Sequence, residues 1–183
     1  MIALVTGGSA SGKSAIAEDL AVRLQGRKRC YLATMEATDE ESIRRISRHR
    51  ELRKEKGFET VERSRNLPEI QDQLEQFDVV LLECLTNLAA NEMFHESSDT
   101  KNMVQELKTA LRTLSRTKSW LVIVSGDVFG DGGNYDKGTI CYQHALGELN
   151  SYAASMADVV IEAVCGIKLI HKGKELLVNE GII

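Results

Sequence analysis

At 183 residues, with 43% hydrophobic and 27% charged residues and a formal net charge of -4, the chain has the composition of a globular protein of one-domain size, expected as a single domain over residues 1–183. The acidic balance argues against a broad nucleic-acid-binding surface, and no apolar run approaches the ~18 residues that a membrane span requires. Four cysteines, Cys30, Cys84, Cys141 and Cys165, are widely spaced and contain no CxxC pair, so neither a zinc site nor a disulfide framework is expected.

In chain order, the first element is an apolar strand over residues 2–6. It runs straight into a glycine-rich loop, without the charged start and cleavage site of a signal peptide, which makes a cytoplasmic location the expectation. The loop is Gly7-Gly8-Ser9-Ala10-Ser11-Gly12-Lys13-Ser14 and matches GxxxxGK[ST]. In such a loop backbone N–H groups face phosphate oxygens, Lys13 neutralises the β/γ charge and the Ser14 hydroxyl reaches Mg²⁺. A chance glycine-rich turn would match too, but the motif's context is met: a strand before and a helix after. That helix begins near Lys13, carries Ala15, Ile16, Leu20, Ala21 and Leu24 inward, and stops at Gly26.

A second strand is expected over residues 30–34, with Cys30 beside it as a small buried hydrophobe. Residues 39–56 are strongly charged around a thin apolar set of Ile43, Ile46 and Leu52, so they form a helix that cannot be deeply buried. His49 lies there among Arg44, Arg45, Arg48, Arg50 and Arg53. A lone histidine on a charged helix is ordinarily just exposed. The alternative is chemical, since arginines stabilise phosphate oxygens and a neutral imidazole can attack an α-phosphate to form a phosphoramidate.

Pro68 opens a helix with Ile70 and Leu74. The next strand, residues 79–84, ends in Glu83, either a solvated strand-end acid or the carboxylate that P-loop enzymes place near Mg²⁺ or its water shell. A helix over residues 100–117 carries Met103, Leu107, Ala110, Leu111 and Leu114 at helical spacing. A strand over residues 120–125 leads into a glycine- and aspartate-rich loop, residues 126–136, longer than a simple connection requires and so a candidate binding loop. After a last strand over residues 159–164, turn signals in residues 166–183 suggest a terminal hairpin. The alternation of strands and helices predicts an α/β fold with a mainly parallel sheet covered on both faces. His95, His144 and His171 lack comparable surroundings and receive no role.

Several segments together resemble one family, the bifunctional adenosylcobinamide kinase / adenosylcobinamide-phosphate guanylyltransferase of cobalamin biosynthesis. They are Leu4-Val5-Thr6-Gly7-Gly8, Tyr31-Leu32-Ala33-Thr34, Arg45-Ile46-Ser47-Arg48-His49-Arg50, Thr60-Val61-Glu62, Leu82-Glu83-Cys84-Leu85-Thr86-Asn87, Leu146-Gly147-Glu148-Leu149-Asn150 and Ala157-Asp158. The resemblance implies a RecA-like P-loop fold, a homotrimer, a corrinoid substrate, and Mg²⁺ with GTP or ATP. It makes His49 the residue that carries GMP covalently. It assigns nucleotide binding to Gly7 through Ser14, to Ala33, Thr34 and Met35, to Arg50, Glu51, Leu52 and Arg53, and to Glu62 and Glu83. The chain departs from the family pattern twice. Gly126-Asp127-Val128-Phe129 stands where Asn-Glu-Val-Gly is usual, and Arg53-Lys54-Glu55-Lys56-Gly57 replaces a common Arg-Pro step.

The expected function is therefore phosphorylation of adenosylcobinamide followed by GMP transfer from GTP to the product. One rival is a small-molecule kinase in which residues 44–53 are a closing lid and His49 is a bystander. Another is a RecA-like nucleotide-binding module acting on nucleic acid or regulating a partner, which the charge balance disfavours.

Overall fold

A computed structural model of the chain describes residues 1–24, 28–36, 40, 43–44, 47, 51, 54–95, 99–116, 120–129 and 133–183. Its centre is a seven-stranded sheet in the order β3-β2-β4-β5-β1-β6-β7, where β1 is Ile2–Gly7, β2 Arg29–Ala33, β3 Phe58–Glu62, β4 Val79–Glu83, β5 Trp120–Gly126, β6 Val159–Val164 and β7 Ile167–Lys172. All neighbours pair in parallel except β6 and β7. The helices bounded within the described residues are α1 (Lys13–Arg23), α2 (Gln71–Leu74), α3 (Leu85–Met93), α4 (Thr100–Ser115), α5 (Lys137–Met156) and α6 (Lys174–Asn179).

The central strands are apolar on both faces because both faces are covered. Leu4, Leu32, Val80, Leu82, Leu121 and Ile123 point to one core, which α3, α4 and α5 close with Leu85, Leu88, Leu107, Leu111, Leu146 and Leu149. Their alternates Ala3, Val5, Tyr31, Val79, Leu81, Val122 and Val124 point to the other, closed by Ile16, Ala17, Leu20 and Ala21 of α1 and by Leu177 of α6. The period-two alternation thus sorts one strand's side chains between two cores.

The strands expected near residues 2–6, 30–34, 79–84, 120–125 and 159–164 are all present. In α1 Ile16, Ala17, Leu20 and Ala21 face inward, whereas Ala15 is exposed, turned from the sheet one step before Ile16. Leu24 caps the helix through its backbone N–H to the Leu20 carbonyl, and Gly26 lies outside the described residues. Of the charged segment, Glu40, Ile43, Arg44, Ser47 and Glu51 are helical and exposed, as its composition demands. Pro68 opens a 3-10 turn, Leu67–Ile70, which continues into α2. The terminal hairpin is formed by β6 and β7. Its two-residue loop, Cys165-Gly166, has φ of 50° and 81°, the positive pair that matches strand twist. The later turn signals bound a helix instead: Gly173 caps the start of α6 at φ 78° and Gly181 follows its end. No helix among the described residues is long and apolar enough to cross a membrane.

Candidate active site

The phosphate loop joins β1 to α1 at the carboxyl edge of the sheet, where open α/β sheets bind ligands. Two of its glycines, Gly7 and Gly12, are set by close approach. A Cβ on Gly7 would lie 2.6 Å from the Ala163 carbonyl oxygen and 2.6 Å from Ser11 Oγ, and one on Gly12 (φ 91°) would lie 3.3 Å from Gly166 Cα. The hairpin turn braces the loop from behind, with the Gly166 N–H donating to the Ser11 carbonyl at 2.9 Å. Ala10 adopts φ 54°. Lys13 Nζ donates to the Gly8 carbonyl at 3.1 Å, so its ammonium lies across the front of the loop. Ser11 Oγ is buried with no hydrogen-bond partner among the described residues, leaving a hydroxyl open to a ligand.

Ser14 Oγ donates to Glu83 Oε1 at 2.8 Å, bringing together the two residues singled out for the metal. These are hard oxygen donors suited to Mg²⁺, which takes few protein ligands and completes its shell with phosphate and water. Among the described residues no cluster of three or more His, Cys, Asp or Glu could hold a metal. The donor set therefore fits Mg²⁺ bound together with a nucleotide.

Strand register places Ala33 level with both Glu62 on β3 and Glu83 on β4. Thr34, fully buried just beyond, is fixed by its side chain: Oγ1 donates to the Cys84 carbonyl at 2.8 Å and accepts from the Cys84 N–H at 2.7 Å. The Glu83–Cys84 peptide is cis. Burial, with the Glu83 carboxylate adding to it, pushes the Cys84 thiol up to about 11. Met35 is half-buried after β2. Glu62 faces a cavity of about 710 Å³ with Arg63, Ser64, Asn66, Glu92 and His95, apart from the phosphate loop. Glu51 is helical and exposed, while His49, Arg50, Leu52 and Arg53 lie outside the described residues.

Several residues given no role by sequence reasoning hold this edge together. Asn91 of α3 donates to the carbonyls of Thr34 (2.7 Å) and Ser64 (3.1 Å), tying the ends of β2 and β3. Thr86 Oγ1 accepts from the Gly126 N–H at 2.6 Å, and Ser125 Oγ donates to Asn150 Oδ1 at 2.6 Å. Gly126 is needed where it stands, since a Cβ would meet Thr86 Oγ1 at 3.1 Å. The available signal was a polar residue recurring within the otherwise apolar start of α3. Beside the loop, Gly8, Ser9, Asp127, Val128, Tyr142 and Gln143 line a second cavity of about 530 Å³.

Comparison with known proteins agrees with this geometry. The family model described as cobinamide kinase / cobinamide phosphate guanyltransferase matches residues 3–170. The chain is 31% identical over 179 residues to the bifunctional adenosylcobalamin biosynthesis protein CobU of Escherichia coli, covering 91% of this chain and 97% of that protein. It is 29% identical over 176 residues to the bifunctional adenosylcobalamin biosynthesis protein CobP of Pseudomonas aeruginosa, covering 94% and 98% respectively. A KaiC-like protein from Pyrococcus horikoshii superposes with a TM-score of 0.54 at 14% identity, over 95% of this chain and 79% of that one, a likeness of fold alone. The phosphate loop, the Ser14–Glu83 pair and a match along nearly the whole chain converge: this protein belongs to the cobinamide kinase / cobinamide phosphate guanyltransferase family.

Proposed function

We propose that the chain acts twice on one corrinoid: it phosphorylates the hydroxyl of adenosylcobinamide, then links GMP from GTP to that phosphate through a guanylyl group carried on His49. The observation that carries the first step is the Ser14–Glu83 contact behind a loop whose Lys13 reaches Gly8. In this reading the loop N–H groups and Lys13 hold the β- and γ-phosphates of ATP or GTP and offset the charge that develops during transfer. Ser14 and Glu83 hold Mg²⁺, which supplies further neutralisation of the phosphate oxygens when bound.

In the second step an imidazole nitrogen of His49 attacks the α-phosphorus of GTP. A P–N bond forms, the bridging P–O bond to the β-phosphate breaks, and pyrophosphate leaves with the electron pair. An oxygen of the corrinoid phosphate then attacks the same phosphorus, the P–N bond breaks, and a diphosphate linkage results. Dividing the transfer into two displacements follows the ordinary logic of nucleophilic catalysis. Its support is the resemblance that places His49 among arginines, with Ala33, Thr34, Met35, Arg50, Glu51, Leu52, Arg53, Glu62 and Glu83 around the nucleotide. Assembly as a homotrimer and a cytoplasmic location, where nucleoside triphosphates are abundant, complete the reading.

Incubation with Mg²⁺ and GTP, followed by intact-mass measurement, tests it. A gain of one GMP on the wild type and none on His49→Ala is the expected result. Folded, GTP-binding wild type that gains no mass would remove His49 from the mechanism and leave a kinase alone.

A further inference from the structure

We propose that the cavity of about 530 Å³ between the phosphate loop and α5 is the acceptor subsite of the kinase step, where Asp127 orients the hydroxyl that receives the phosphoryl group. The proposal rests on the two-step reading above. Position is the first argument. The cavity wall includes Gly8 and Ser9, and Gly8 is the residue whose carbonyl holds Lys13 Nζ at 3.1 Å. Since the loop lysine serves the β/γ end of a bound triphosphate, the cavity opens where the transferable phosphoryl group lies.

The chemistry of the wall is the second argument. Three of the polar side chains on its wall are engaged within the protein: the Tyr142 hydroxyl donates to the Thr86 carbonyl at 3.0 Å, the Gln143 amide to the Val128 carbonyl at 3.1 Å, and the Thr139 hydroxyl to Asp136 Oδ2 at 2.7 Å. What faces the space is mainly apolar, wrong for a triphosphate and right for a hydrocarbon arm that carries one hydroxyl. Asp127 is the acidic residue on that wall. Its own N–H donates to the Gly7 carbonyl at 3.0 Å, and Oδ1 accepts from the Phe129 N–H at 3.1 Å, which anchors the carboxylate beside the loop. An anion there repels phosphate but accepts a hydrogen bond from an incoming hydroxyl, aligning the oxygen for in-line attack.

Size is the third argument. About 530 Å³ holds an arm but not a macrocycle, so the bulk of the acceptor must lie outside. A neighbouring cavity of about 570 Å³ shares Gln143 and carries Phe129, which is 45% exposed and rests against Gly147 of α5. There Phe129 offers one aromatic face among the polar side chains of His144, Glu148 and Ser151, a mixed surface beside the apolar arm site.

Steady-state phosphorylation of cobinamide by the full chain with Mg²⁺ and ATP tests the assignment. Val128→Phe, which fills the cavity, is expected to raise the KM for cobinamide about tenfold while the KM for ATP stays within about twofold. Asp127→Asn is expected to lower kcat by about tenfold to a hundredfold with little change in either KM, and Asp127→Glu to recover most of it. Asp127 is exposed, so its variants fold even if Val128→Phe does not. Unaltered cobinamide kinetics in the Asp127 variants of an active enzyme would overturn the proposal alone. A KM for ATP that rises in step with that for cobinamide would reassign the cavity to the nucleotide and overturn it too. Wild type that phosphorylates no cobinamide would sink this proposal and the two-step reading together.

Discussion

Gly7 sits where a single added methyl group decides whether the phosphate loop can close. Its ideal Cβ would stand 2.6 Å from a backbone oxygen of β6, which has no rotamer to move away, and φ is 153°. Gly7→Ala therefore shifts the loop, or the strand behind it, by tenths of an ångström. Nucleotide affinity, read by titration with a fluorescent ATP analogue, is expected to fall at least about tenfold, since loop N–H donors tolerate little misalignment. Unchanged affinity would show that the loop relaxes at no cost. The cysteines give a second test. Burial raises the Cys30 thiol to about 12 and, together with Glu83, the Cys84 thiol to about 11, against an ordinary 9.0. Folded protein at pH 8 should alkylate at exposed Cys141 and Cys165 and spare Cys30 and Cys84. The unfolded chain releases these protons at lower pH than the folded one. Their contribution is thus fully present below pH 9.0 and declines as pH rises toward 11 to 12. A thermal midpoint whose decline above pH 9.0 is the same in a Cys30→Ala, Cys84→Ala double variant would contradict this. At this scale the place of the loop between β1 and α1 and of Glu83 at the end of β4 was legible because each obeys a local rule: glycines before a lysine, and a carboxylate ending an apolar strand. Asn91 and Thr86 were not, because their partners are backbone groups of strands far away in sequence.

Among the elements, α4 illustrates why some were plain from periodicity. Met103, Leu107, Ala110, Leu111 and Leu114 recur at helical spacing and are all buried against the sheet, so pattern and packing carry the same information. Leu111 is fully buried in that core, and Leu111→Ala should cost about 2–5 kcal/mol in urea unfolding with an unchanged m-value. A cost below about 1 kcal/mol would mean that the helix repacks over the gap. The strands β3 and β7 were harder to see. β3 reads Phe-Glu-Thr-Val-Glu and buries only Val61, and β7 is mostly exposed, so neither edge carries the continuous apolar run of a central strand. α5 hides for a related reason. Its 20 residues fully bury only Ala145, Leu146, Leu149 and Ala153, and Tyr142, Tyr152, Ala154 and Met156 pack against the core while still partly exposed. The terminal turn signals were real but belonged to a helix cap, since a glycine at positive φ serves a hairpin and a helix start equally well.

For the whole molecule, the arrangement makes nucleotide binding a stabilising force on both cores. The phosphate loop ends β1, begins α1, contacts β6 through Ala163 and holds the hairpin turn through Gly166, while Ser14 reaches across to Glu83 on β4. A ligand seated on the loop thus binds the folded sheet and has no counterpart in the unfolded chain. At a free concentration 100 times Kd such a ligand adds about 2.7 kcal/mol, and a chain of this size gains roughly 2–4 °C per kcal/mol. Mg²⁺ with ATP should accordingly raise the thermal midpoint by about 5–11 °C in differential scanning fluorimetry. Lys13→Ala removes the ammonium that the proposed function assigns to the β/γ charge while leaving the backbone donors, so the shift should shrink sharply although the unliganded midpoint stays close to that of the wild type. An equal shift in the variant would place the nucleotide somewhere other than this loop. A variant that melts early without ligand would instead make Lys13 a structural residue, held to Gly8 for the sake of the loop itself.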